Sequence, residues 1–414
     1  MSSVVSYTEA AEIVNASARR LMPVDGRACV PLREAAGRVL AEPITADVDQ
    51  PPFTRSTRDG FAGRAAELSS QEWLTVAGST HAGEPPPGAL PAGAVWEIMT
   101  GAAAPEGADA VAMLEHVERE GNRVRLMAPR VLKSGENLVA RGAQACAGEA
   151  LLPAGTRMEP GRIALAAACG YADVTVYARP RVAILATGDE LVPVEATPGP
   201  GQIRNSNAPM LAALVTAASG EALVLPAAAD TAEALDAALA EALKADLLLI
   251  SGGVSAGKFD LVEPALERLG ARFHFTGVRM QPGKPLVFGE VPRAVGPVLP
   301  FFGLPGNPIS SAVTFLLFGA TVLGALAGSR SAGPRFAAAQ LAREADRKAK
   351  PGLTRFLPAQ CDFNPANGAL PQVETIGWHG SGDLPAFGRA NCFLVVPEET
   401  GRFEAGAMVH ILLI

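Results

Sequence analysis

Between residues 179 and 330, short and nearly continuous apolar runs alternate with segments of helical periodicity, a pattern that few folds accommodate. The runs are VAILAT (182–187), ALVLPA (222–227), DLLLIS (246–251) and VLPFFG (298–303). A strand with no polar face has to be buried on both sides, so these four predict a parallel sheet wrapped by helices. PMLAALVTAAS and TAEALDAALAEALKA, lying between them, supply two of those helices.

The flanking regions read differently. Residues 5–21 predict a helix, with Thr8 near its start and an apolar stripe through Ala11, Ile13 and Val14. A second short helix is expected over Leu32–Val39, followed by the extended segment ITADVDQPPF. From 51 to about 142, the runs WLTVAG, AVWEIMTG, AVAMLEHV and RVRLMAP are separated by Gly and Pro, which predicts a small β-rich domain. The tail from about 331 contains FLVVPE and MVHILLI between Gly-rich turns and predicts a small β-barrel or sandwich. The run SAVTFLLFGATVLGALAG (311–328) has the length of a membrane span. Gly303, Pro305, Gly306 and Pro308 break the apolar stretch upstream, and a helix buried against the sheet is the better reading.

The formal net charge of −7 argues against a nucleic-acid partner, because phosphate backbones require a basic face. The five cysteines (Cys29, Cys146, Cys169, Cys361 and Cys392) form no CxxC pair and are odd in number. A disulfide framework and a zinc knuckle are therefore not expected, and a reducing compartment is. The first twenty residues carry no apolar core of signal-peptide length, so the expected location is the cytoplasm.

In an open parallel sheet, ligands bind where loops leave the carboxyl ends of the strands. ATGDEL (186–191) places Gly188 in a tight turn and brings Asp189 and Glu190 to the sheet edge, where they either cap the next helix or face a ligand. SGGVSAGKFD (251–260) offers Gly252, Gly253 and Gly257, whose backbone N–H groups can approach an anion. Its GxxxxGK spacing is followed by Phe259 where a phosphate loop needs Ser or Thr for magnesium, so a nucleoside-triphosphatase loop is excluded. Asp260 is either a surface carboxylate or a cation ligand. In GLPGNPISS (303–311), Asn307 or Ser310 can cap the apolar helix, with Pro308 in its first turn. Lys284 is held between Gly/Pro turns in QPGKPLVFG (281–289). Asp59-Gly60 in PPFTRSTRDGFAGR (51–64) is a turn signal, and Thr100-Gly101 follows a strand in MTGAAAPEGADAVAM (99–113).

Together these strings resemble the MoeA and gephyrin E-domain family in wording and in order: PPF…S.MDG(Y/F)A, MTGAP.P.GADAVV, TGDEL, SGGVS.G..D, KPGKP and GLPGNP(V/I)S. They occur here at 51–62, 99–111, 187–191, 251–260, 282–285 and 303–310, with a tail string GSGDLPAF at 380–387. The resemblance implies a multidomain α/β plus β protein. An elongated dimerisation domain comes from 1–50 and 143–178, and an inserted β-rich domain from 51–142. The α/β, adenylyltransferase-like, molybdopterin-binding domain is 179–330, and the C-terminal β-barrel is 331–414. It also implies insertion of molybdenum from molybdate into adenylated molybdopterin, with release of AMP, by a homodimer whose cleft is shared between subunits. The alternative is a molybdopterin-binding or adenylating paralogue without insertion activity. The implied catalytic residues are Asp59, Thr100, Glu190, Asp260 and Lys284, with Glu190 and Asp260 holding Mg2+. The implied substrate-binding residues are Thr187, Gly188, Asp189, Asp230, Ser251, Gly252, Gly253, Ser255, Gly257, Pro305, Asn307, Ser310, Arg355 and Ser381. Molybdopterin adenylyltransferase and molybdoenzyme-maturation proteins are the implied hand-over partners.

These residue types suit that chemistry. Molybdate is a dianion and calls for cations, hydroxyls and backbone N–H groups. A phosphoanhydride is cleaved with a divalent cation held by carboxylates. The dithiolene sulfurs come with the substrate, so no cysteine motif is needed. Three departures from the family stand out: Arg58 precedes Asp59-Gly60 where Met is usual, Ala143-Gln144 replace a Glu-Asp pair after Arg141-Gly142, and Gln281 replaces the first lysine of KPGKP.

Overall fold

The computed structural model describes residues 3–253, 261–345, 352–365, 368–399 and 403–414. Its centre is a six-stranded sheet in the order Glu221–Val224, Arg181–Ala186, Leu247–Ser251, Leu299–Leu304, Val287–Val291, Arg272–Phe275. The first four strands are parallel, with Val182 opposite Leu247 and Leu248 opposite Phe301. Successive residues of these strands enter two different cores. Val182, Ile184, Leu247 and Leu249 pack on one face, and Ala183, Leu185, Leu248 and Ile250 on the other. That two-sided burial is why the runs have no polar alternation; each fully buried Leu or Ile contributes roughly 1.5–3 kcal/mol.

The last two strands run antiparallel to their neighbours and escaped the sequence reading. RFHF and VFGEV are short and interrupted by Arg272, His274, Gly289 and Glu290, so they carry no continuous apolar signal.

The helical stretch Pro308–Leu326 is long and apolar enough to cross a membrane, yet 83% of its most apolar window is buried inside the protein. Its Val313, Phe315, Phe318, Val322 and Leu323 share a core with Ala10 and Val14 of the first helix. That helix, Tyr7–Ala18, starts one residue before Thr8, because Ser6 and Glu9 form a capping box. The second helix is shorter than expected, a single turn over Leu32–Glu34, and the left-handed Gly37 follows it.

The β-rich region forms a six-stranded sheet, ordered Ala110–Met113, Gly60–Gly63, Ala94–Ile98, Leu74–Thr80, Arg123–Leu126, Val117–Glu120. Its separate core contains Phe61, Leu68, Leu74, Val95, Val124 and Leu126. The elongated region is a ladder of two-stranded pairs, Arg27–Pro31 with Asp173–Tyr177 and Ile44–Thr45 with Ala150–Leu152, beside the helix Pro160–Ala168.

The C-terminal region closes into a five-stranded barrel of Thr354–Asp362, Gln372–Thr375, Phe336–Leu341, Met408–Leu413 and Cys392–Val396, the last strand pairing back onto the first. The expectation left open a barrel or a sandwich, and the closing pair decides for the barrel. The strand Gly277–Gln281 bonds to Thr354–Asp362 on one side and to Val4–Ser6 on the other, tying the α/β region to the barrel.

Candidate active site

The parallel strands end at a cavity of about 840 Å3. Of the residues singled out in the sequence, Thr187, Gly188, Glu190, Asp230, Ser251, Gly252, Gly253, Pro305 and Asn307 line it. Backbone hydrogen bonds lace its loops together: the Thr187 N–H donates to Ser251 O (3.1 Å) and the Gly252 N–H to Leu304 O (3.2 Å). Gly252 and Gly253 permit the closest approach. Both have left-handed φ, and a Cβ would lie 2.7 Å from Thr187 O at Gly252 and 2.7 Å from Thr187 Oγ1 at Gly253. No other residue fits there without displacing the neighbouring strand end.

A segment that was not singled out in the sequence forms another wall. Leu191–Val192 pairs with Ile203–Arg204, and Gln202, Ile203, Arg204, Asn205, Ser206 and Asn207 face the cavity. Asn207 is buried and braces the site, its Nδ2 donating to Ser251 Oγ (2.7 Å) and to Gly306 O (2.6 Å). A signal was present: the polar string RNSN (204–207) leads into the apolar helix Asn207–Ala217 and supplies its first residue.

Asp189 and Glu190 cap no helix, which corrects one of the two sequence readings. The chain turns into Leu191–Val192 instead, and Asp189 Oδ1 accepts from the Asp230 N–H at 3.0 Å. Partial burial, then the charges of Asp189 and Glu190, push the Asp230 carboxyl above its ordinary value. No described residue donates a hydrogen bond to the Glu190 side chain, and none forms an ion pair with it.

Asp59 and Thr100 come together, but in the β-rich region and away from this cavity. The Thr100 N–H and Oγ1–H both donate to Asp59 Oδ1, at 2.6 and 2.7 Å. These bonds hold the Asp59 carboxyl below the usual range. Gly60 is more than a turn residue, because a Cβ on it would fall 1.9 Å from Ala112 O on the adjacent strand.

The remaining candidates are scattered. Ser310 is buried inside its helix, and Asn307 occupies the cap position without a side-chain capping bond. Ser381 O accepts from the Ile309 N–H (3.1 Å), which brings the barrel's Gly382 and Leu384 to the cavity. Lys284 is exposed, next to the cavity residue Pro285. Arg355 lies opposite Gln281 in the strand pairing, and burial lowers its pKa. Ser255, Gly257 and Asp260 lie outside the described residues. No group of three His, Cys, Asp or Glu side chains among the described residues could hold a metal ion. The cysteines are unpaired, and burial pushes the Cys392 thiol up to about 12, so it is no nucleophile at neutral pH.

Residues 5–170 match the MoeA N-terminal region (domain I and II), 183–325 a probable molybdopterin binding domain, and 340–414 the MoeA C-terminal region (domain IV). A molybdopterin molybdenumtransferase of Nostoc sp. is 35% identical over 92% of this chain and 88% of its own length. The chain belongs to the MoeA family. A Bacillus subtilis molybdopterin molybdenumtransferase is 37% identical over 93% of this chain and 89% of its own. The crystal structure of a molybdopterin biosynthesis MoeA protein from Pyrococcus horikoshii superposes with a TM-score of 0.78, at 29% identity, covering 100% of both chains.

Proposed function

We propose that this chain transfers molybdenum from molybdate to the dithiolene of adenylated molybdopterin and releases AMP. The observation that carries the reading is the cavity at the parallel strand ends, with Gly- and Pro-rich loops on its walls and the Glu190 and Asp230 carboxylates among its lining residues. The bacterial relatives named molybdopterin molybdenumtransferase support it. The backbone N–H group at Gly253 suits the substrate's anions, and Asn207 keeps the loops around it at a fixed spacing.

A divalent cation fits this donor set in one form. Asp189, Glu190 and Asp230 repel one another, yet they offer no three-ligand cage among the described residues. Magnesium commonly takes one or two carboxylates and completes its shell with water and substrate phosphates. When bound, it neutralises charge developing on the scissile phosphoanhydride. Glu190 is the cavity carboxylate without a protein partner among the described residues and would hold it; Asp260, the second ligand the resemblance implies, lies outside the described residues. Lys284 and Arg355 are the cations for the molybdate oxyanion in this reading, and Ser381 a hydroxyl donor to it.

Asp59 and Thr100 require a second copy in this reading. They do not line the cavity of their own protomer, and a homodimer with a shared cleft brings them to the partner's. The Thr100 bonds keep Asp59 ionised, so it acts there as a fixed negative charge or cation ligand.

The reading is tested by incubating the purified protein with adenylated molybdopterin, molybdate and magnesium. AMP release and active cofactor should require all three. AMP release at the same rate without molybdate would exclude coupled insertion and favour a binding or adenylating paralogue.

A further inference from the structure

The cavity that would receive a strongly anionic substrate has one cationic side chain among its described lining residues, Arg204. Its position is set by the short parallel pair Leu191–Val192 and Ile203–Arg204. The Ile203 N–H donates to Glu190 O (2.8 Å) and the Asn205 N–H to Val192 O (2.9 Å), so Arg204 is fastened one residue from the Glu190 backbone. The guanidinium is also fixed at its base. Nε donates to Val194 O (2.9 Å) and to Ala196 O (3.0 Å), both on the loop of the same arm.

Those two bonds leave the outer edge of the fork unused. Neither η nitrogen donates to any described residue, and Arg204 forms no ion pair with the cavity's carboxylates. An arginine held by Nε with both η nitrogens available presents parallel donors to an oxyanion, and little side-chain freedom remains to be lost on binding. An unconstrained surface arginine would have no reason to spend Nε on two carbonyls of its own arm.

We infer that Arg204 is a substrate-positioning residue that grips the diphosphate of the nucleotide-bearing substrate and holds it beside Glu190. The inference deepens the proposed function and depends on that reading for the identity of the ligand. It also assigns a purpose to the 191–207 arm, which carries the guanidinium over the strand ends. The role is one of binding, and no bond is made or broken at Arg204.

The test uses Arg204→Gln and Arg204→Lys in the full-length protein. Calorimetry with adenosine diphosphate as a diphosphate probe should show affinity falling about tenfold or more in Arg204→Gln, since a bond to a charged group carries that order of magnitude. Arg204→Lys should recover part of the loss. In steady state, KM for adenylated molybdopterin should rise similarly, with kcat and the KM for molybdate within about twofold of wild type. Unaltered adenosine diphosphate binding in Arg204→Gln overturns the inference even if the wild type turns over normally. A rise confined to the molybdate KM overturns it too, by placing the guanidinium on the other oxyanion. If the wild type binds the probe through Arg204 but releases no AMP, the inference stands and the proposed reaction falls. The side chain is exposed, so an unchanged melting temperature is expected and serves as the folding control.

Discussion

Asp59 in the β-rich region and Asp230 in the α/β region are both exposed loop aspartates, and their surroundings push them in opposite directions. Asp59 accepts two short hydrogen bonds from Thr100, which hold its carboxyl ionised. Asp230 is raised by partial burial and by the neighbouring Asp189 and Glu190. The first is a finished arrangement, complete within the β-rich region. The second is an accumulation of negative charge that lacks a counter-ion among the described residues. Uncompensated negative charge beside a cavity suits a site completed by a cation or by substrate, whereas the Asp59–Thr100 pair is satisfied within the protein.

The largest effect that would break this comparison is at Glu190. Glu190→Gln should lower kcat by about 100-fold or more, the range of a lost acid–base or cation-holding carboxylate, with the melting temperature unchanged. A variant with normal turnover would show that the acidic cluster is surface charge.

Gly253→Ala tests the loop lacing. Its Cβ would lie 2.7 Å from Thr187 Oγ1 and 2.8 Å from Val262 Cγ2, at a φ of +62°. A loss of about 1–3 kcal/mol is expected in chemical denaturation, together with weaker substrate binding. Unchanged stability would mean that the two strand ends are not in contact.

The smallest effects sharpen the contrast between the two aspartates through pH. The folded pKa of Asp59 lies below its unfolded value. Its stabilising contribution is therefore present above the unfolded pKa and is lost as pH falls through the folded one. Asp59→Asn should lower stability at neutral pH and converge with wild type in acid. The folded pKa of Asp230 lies above its unfolded value, so its contribution is present below the unfolded pKa and is lost as pH rises through the folded one. Asp230→Asn should stabilise the protein at neutral pH, by on the order of 0.5 kcal/mol or less given solvent screening, and match wild type in acid. Thermal melts from pH 3 to 8 measure both, and slopes of the same sign would remove the contrast.

How much was legible in the sequence follows the same physical division. The four parallel strands declared themselves because burial on both faces leaves no polar position in Val182–Ala186 or Leu247–Ile250. Antiparallel Arg272–Phe275 and Val287–Val291 did not, since the first is an edge strand that tolerates His274 and the second, its inner neighbour, is broken by Gly289 and Glu290. The loops at the strand ends were legible from their glycines, which tight approach demands. The arm carrying Arg204 and Asn207 was not, because its importance comes from what it touches: Asn207 acts through Ser251 and Gly306, 44 and 99 residues away in sequence. Capping by Asp189 was a fair local expectation, and it failed because no helix follows. Ser310 looked like a cap from its spacing, yet it lies on the buried side of its helix.

In the proposed homodimer, the Asp59–Thr100 pair of one protomer and the Glu190 cavity of its partner make one cleft. Mixed dimers test it most directly, with Asp59→Asn in one subunit and Glu190→Gln in the other, co-expressed with two tags and purified. Each single-variant homodimer should be inactive. In the mixed dimer one cleft collects both substitutions and the other none, so about half of the wild-type molybdate-dependent AMP release should return by two-fold symmetry. A purified mixed dimer as inactive as both parents would contradict the shared cleft and place both residues in the same protomer's chemistry.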